Sequence, residues 1–180
     1  MTTTATPPTR ALLPDGEIAW VRKLEASDAQ AVLALRARLA GRDRHLRFFG
    51  LGVAGLAELA TQLSHNSGVG HTAVGCFLHS RLAGIACYDI LADPAEAAVA
   101  LVVDGGARTL GVAVLLLEQL VVSAEHEGVR ALVVDVGDQG PENAKMLGVF
   151  AALGIPFRPG LQVTETRSGG GSPPGTGAPA

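Results

Sequence analysis

The first ordered pattern along the chain is Ile18-Ala19-Trp20-Val21, which predicts a short strand. Ser27 followed three residues later by Gln30 then forms a capping-box pattern, and Val32, Leu33, Leu35 and Leu39 supply a buried helical face that Gly41 ends. Val53 to Leu63 repeats that spacing with Leu56, Ala57, Ala60 and Leu63. A turn cluster at Asn66 to Gly70 precedes strands expected at 72–78 and 82–90. Asp93-Pro94 turns the chain again. Ala97 to Val103 is apolar on both faces, which predicts a strand central in the sheet. Gly111 to Glu127 reads as a helix, apolar nearly all round in its first half, with Gly128 as its C-cap. Leu132-Val133-Val134 is a further interior strand. Pro141 and Gly154 bracket a second late helix, and residues 156–167 have room for a short strand pair around Pro159-Gly160. The order predicts an α/β domain, a mixed central sheet flanked by helices.

Composition narrows the setting. The 180 residues suit one domain, expected over 16–167, with a flexible N-terminus at 1–15 and a Gly/Pro/Ser-rich disordered tail at 168–180. A net charge of −3 argues against a broad nucleic-acid surface. MTTTATPPTR lacks the apolar core of a leader, and Leu110 to Ala124 is too short and too interrupted by Glu118 and Gln119 for a membrane span. Two cysteines, Cys76 and Cys87, sit in apolar strands as small hydrophobes, which fits a reducing, cytoplasmic compartment. Among the five histidines, His45, His65, His71, His79 and His126, no metal-ligand spacing occurs. Arg42, Arg44 and Arg47 form a short basic cluster around His45, read first as a solvated helix end. Monomer and homodimer both remain open.

The chemistry-bearing stretch is Arg108-Thr109-Leu110-Gly111-Val112-Ala113, between an apolar strand and an apolar helix. A helix N-terminus leaves backbone N–H groups unpaired and favours negative charge. Gly111 and Ala113 are small enough for close approach, and Arg108 adds a cation. The physical reading is a pyrophosphate cradle, although neither a GxGxxG fingerprint nor a P-loop fits.

These residues match the Q/R-x-x-G-x-G/A loop of the GNAT acyltransferase superfamily, and the arrangement as a whole resembles that superfamily. Val21-Arg22-Lys23-Leu24 with Ser27-Asp28-Ala29 looks like its opening strand and first helix. His45-Leu46-Arg47-Phe48-Phe49-Gly50 looks like a segment of the bacterial branch that acetylates protein lysines. Asn143, Met146, Phe150, Gly154 and Ile155 follow the pattern of its late helix. The resemblance implies a GNAT-like fold and acetyl-CoA, or a related acyl-CoA, as co-substrate, with no metal. It implies direct transfer to an amine, either a protein lysine or a small molecule, without nucleic acid or membrane as partner. Backbone donors at Leu101, Val102 and Val103 would hold the pantetheine arm and polarise the thioester. Arg108, Thr109, Leu110, Gly111, Val112 and Ala113 would hold the phosphates, and Asn143 would help fix the cofactor or the acceptor.

The chain departs from the branch at two positions. The glutamate that commonly serves as base, ten residues before the loop, is Ala98, and the late-helix tyrosine of many relatives is Phe150. Glu96 is the nearest substitute; it shares a strand face with position 98 but stands about 6–7 Å away. Asp89 and His79 lie in the neighbouring strand region, without a spacing that favours either. Tyr88, the only tyrosine, reads as a partly buried strand residue that could reach the thioester. The leading expectation is an acetyl-CoA-dependent N-acetyltransferase. The alternative is a non-catalytic acyl-CoA-binding sensor or interaction module.

Overall fold

The structure, a computed structural model, describes residues 8–40, 46–48, 53–65, 70–105, 109–134, 148–152, 154 and 157–159. Over these residues the chain runs β1 (Thr9–Leu12), β2 (Ile18–Lys23), a 3-10 turn (Ala26–Asp28), α1 (Ala29–Ala40), β3 (Leu46–Phe48), α2 (Val53–His65), β4 (His71–Leu78), β5 (Arg81–Ile90), β6 (Glu96–Val103), α3 (Thr109–His126), β7 (Ala131–Val134) and β8 (Phe157–Pro159). The strands form one sheet in the order β1-β2-β4-β5-β6-β7-β8, with β3 added to β6. Pairing is antiparallel from β1 to β6 and parallel from β6 to β8. This is the mixed sheet flanked by helices that the pattern predicts.

The sheet separates two cores. On one face α3 buries Val112, Ala113, Leu116, Leu117, Leu120 and Ala124 against Val74, Cys76, Val99, Leu101 and Val103. On the other face α1 and α2 bury Val32, Leu35, Leu39, Leu56 and Leu59 against Ala73, Ile85, Cys87 and Val102. Each such leucine contributes about 1.5–3 kcal/mol on leaving water. The near-continuous apolarity of β6 and α3 follows from these positions: β6 has a helical layer on both sides, and α3 lies across the sheet centre. Gly84 allows that approach, because a Cβ there would stand 3.0 Å from both Leu116 Cδ1 and the Val102 carbonyl oxygen. The end of α3 is a Schellman cap, with Gly128 at φ +84° and the Val129 N–H donating to the Ala124 carbonyl at 2.9 Å.

Two local expectations are corrected. Thr9–Leu12 is a strand in register with β2, and Leu13 is buried, so order begins inside the segment expected to be flexible. The expected Ser27–Gln30 capping box is not the one used. Asp28 accepts the Glu25 backbone N–H at 2.8 Å, and a 3-10 turn leads into α1. The late strand Phe157–Pro159 pairs with β7, and the second strand expected after Pro159-Gly160 lies outside the described residues. Residues 148–152 are helical, with Gly154 just beyond them at φ +68°. Pro141, the basic residues Arg42 and Arg44, and the tail at 168–180 lie outside the described residues.

One irregularity sets the faces of β5. The β4–β5 register shifts between Cys76 and Phe77: Cys76 pairs with Gly84 and Phe77 with Leu82, which leaves Ala83 unopposed. From Ile85 onward, residues 85 and 87 face the α1/α2 core, and residues 86 and 88 face the α3 core.

Candidate functional site

The parallel strands β6 and β7 pair from Glu96↔Ala131 to Val99↔Val134. Val134 is the last described residue of β7. Further along the same edge of β6, Leu101, Val102 and Val103 pair with Phe48, Arg47 and Leu46 of β3. Six residues after β6, α3 begins at Thr109, with no acidic side chain in its first turn. The carboxyl ends of parallel strands, beside a helix N-terminus, are where open α/β sheets bind ligands.

Residues 101–103 were expected to offer an open backbone edge, and the structure differs: β3 lies along it. The pairing shows that this edge accepts an extended amide chain in strand register. A pantetheine arm is chemically such a chain. Thr109 and Leu110 are in the first turn of α3, while Arg108 and Asn143 lie outside the described residues. Val112 and Ala113 turn their side chains into the core, 1 % and 0 % exposed, so only their backbone is offered to a ligand. Gly111 is small for another reason than the one expected. A Cβ there would lie 3.2 Å from Leu13 Cδ2 and 3.7 Å from Pro14 Cδ, so the glycine lets α3 close on the β1–β2 turn.

Around position 98 the sheet lines up a row. His71 pairs with Asp89, Asp89 with Ala98, and Ala98 with Val133. Directly paired residues share a face, and alternation from Ala73, Cys87 and Ala100 assigns this row to the α1/α2 side. Ala98 stands within the described β6–β7 pairing. His71 Nδ1 lies 2.6 Å from Asp89 Oδ1; the histidine side chain is 15 % exposed and the aspartate 66 %. Buried His71 Nε2 has no hydrogen-bond partner among the described residues.

Glu96 is half-buried on the same face, at the mouth of the β5–β6 turn. Its N–H donates to the Asp93 carbonyl and its own carbonyl accepts from the Leu91 N–H, both at 2.9 Å. His79 is remote from this row: it sits in the β4–β5 turn at φ +47°, 3.7 Å from Glu17. Tyr88 faces the α3 core instead of the row. Burial pushes its phenol up to about 12, and its hydroxyl, without a close hydrogen bond, stands within reach of Thr72 and Glu127 at the end of α3. Phe150 is fully buried in the same core. Cys76 and Cys87 are free and buried, and burial pushes both thiols up to about 12, outside the range of a nucleophile. Among the described residues no group of three His, Cys, Asp or Glu side chains is arranged for a metal ion, and no helix is long and apolar enough to cross a membrane.

No protein-family model matches the chain, and no curated protein does. Solved structures do match. The GNAT domain of S. lividans PAT aligns with a TM-score of 0.58 at 24 % identity, over 82 % of this chain and 86 % of that one. A ribosomal-protein-alanine N-acetyltransferase from Brucella melitensis gives 0.56 at 19 % identity, over 74 % and 82 %. The aminoglycoside N-acetyltransferase AAC(6')-Iy, solved with CoA, gives 0.54 at 18 % identity, over 80 % and 91 %. The fold is therefore that of the GNAT acyl-CoA N-acetyltransferases.

Proposed function

We propose that the protein transfers an acetyl group from acetyl-CoA to an amine. The observation that carries this reading is the shared fold, with the carboxyl end of β6 beyond its described pairing with β7 followed by the N-terminus of α3. Leu101 to Val103 would hold the pantetheine arm through their backbone once β3 has left the edge, and the first turn of α3 would hold the phosphates. Bound there, acetyl-CoA supplies an activated thioester carbonyl. Backbone N–H groups of β6 are suited to stabilise negative charge as it develops on that oxygen. Amines are protonated near neutral pH, so the site also needs a proton acceptor. Glu96 lies on the correct face for that task, about 6–7 Å along the strand from position 98.

A protein lysine is the favoured acceptor, because His45-Leu46-Arg47-Phe48-Phe49-Gly50 resembles the segment of the lysine-acetylating branch. A second reading is favoured by Ala98 and the buried Phe150: a domain that binds acyl-CoA without turning it over. Calorimetric titration with acetyl-CoA, followed by thiol-release assays on lysine peptides, polyamines and aminoglycosides, separates the two. Micromolar binding, about −8 kcal/mol, together with turnover supports the transferase. Binding without turnover on any acceptor supports the sensor, and no binding at millimolar ligand removes both.

A further inference from the structure

We propose that Asp89, held by His71, is the proton acceptor that takes the place of the missing glutamate at position 98; this rests on the transferase reading above. The register carries the argument. Asp89 is the direct cross-strand partner of Ala98, so their Cβ atoms stand about 4.5–5.5 Å apart on one face. Glu96 is two residues along the strand, about 6–7 Å away. Asp89 Oδ1 is turned to His71 on the β4 side, and the direct pairing with Ala98 keeps the carboxylate on the face from which a side chain at 98 projects. Truncation at 98 and a carboxylate at 89 are thus complementary.

His71 gives Asp89 its orientation. Its Nδ1 is 2.6 Å from Asp89 Oδ1, while its buried Nε2 has no partner among the described residues. With a proton on Nδ1 the ring donates to Asp89 Oδ1 and fixes the carboxylate. Asp89 is mostly exposed, with Oδ2 available to an incoming ammonium. In the reaction Asp89 takes one proton from the ammonium. The freed amine nitrogen forms the C–N bond at the thioester carbonyl as the C–S bond breaks. The C–S electron pair leaves with sulfur, which accepts the second N–H proton, and the products are the amide and free CoA. Asp89 then releases its proton to water.

His71 is a positioning residue in this scheme, and its test must separate positioning from folding. Asp89→Asn keeps the shape and the Nδ1 hydrogen bond but cannot take the proton. The expected result is a fall in kcat of about 100-fold, with acetyl-CoA affinity by calorimetry unchanged. Ala98→Glu added to Asp89→Asn is expected to restore activity, because it returns a carboxylate to the same space. His71→Gln is expected to lower kcat without changing KM, and to have no further effect in the Asp89→Asn background, a non-additivity that mere destabilisation would not produce. An active wild-type protein whose Asp89→Asn variant keeps kcat within threefold overturns the proposal and leaves the transferase reading standing. A wild-type protein that binds acetyl-CoA but acetylates nothing overturns both.

Discussion

At Asp28 one carboxylate closes three contacts. It accepts from both terminal nitrogens of Arg22, at 2.7 and 2.8 Å, and from the Glu25 N–H at 2.8 Å. The Arg22 guanidinium also lies 4.5 Å from the Phe77 ring centroid. Burial works against the charge of Asp28, but Arg22 and the Glu25 N–H outweigh it and hold the carboxyl below its ordinary value. A depressed folded-state value adds stability above the unfolded-state value and loses it as pH falls through the folded one. Asp28→Asn should therefore cost about 1.5–3 kcal/mol near neutral pH. In parallel thermal melts the difference from wild type should shrink as pH drops below 3.8. A pH-independent difference would assign the effect to packing alone.

At the scale of elements, the edge of β6 decides access to the site. The strand has two edges; β5 takes one along its length, and the other is shared by β7 and β3. An extended ligand bound at Leu101–Val103 as proposed and the strand Leu46–Phe48 could not occupy that edge together. The affinity of such a ligand would be reduced by the fraction of protein in which β3 is docked. Replacing Leu46–Phe48 with three glycines should tighten acetyl-CoA binding by about tenfold, the equivalent of roughly one net hydrogen bond. Unchanged or weaker binding by calorimetry would mean that the strand belongs to the bound state.

Across the whole molecule, the two cores meet at the central strands, so the site is built on the most buried part of the sheet. The outer edge is protected differently. At β1 and β2, Trp20 is 46 % exposed, and Arg10 lies over it at 5.7 Å from the ring centroid, which sets a charge at the free edge. Because the proposed ligand crosses β6 and the start of α3, its binding should stabilise the folded domain as a unit. At a hundred times Kd the gain is about 2.7 kcal/mol, corresponding to a rise in Tm of about 5–10 °C for a domain of this size. Differential scanning fluorimetry with acetyl-CoA and with free adenosine checks this; an equal shift from both would place recognition in the adenosine end alone.

The residue pattern by itself determined most of the element order, the central place of Ala97 to Val103 and the depth of α3, because burial on both faces demands near-continuous apolar runs; the short strands β1 and β3 escaped that logic. The candidate loop and the alanine at position 98 came from the resemblance. Counting outward from Asp93-Pro94 would have placed Asp89 opposite Ala98, since a regular hairpin keeps its register. The same count from His79-Ser80 would have set His71 against Tyr88. The extra residue at Ala83 moves the pairing by one, so that His71 meets Asp89 instead and shares its face. The path of Leu46–Phe48 along β6 was equally out of reach, because a three-residue strand finds its partner through the surface it meets and not through its own pattern. Register and edge pairing belong to the assembled sheet, where a shift of one residue exchanges the two faces.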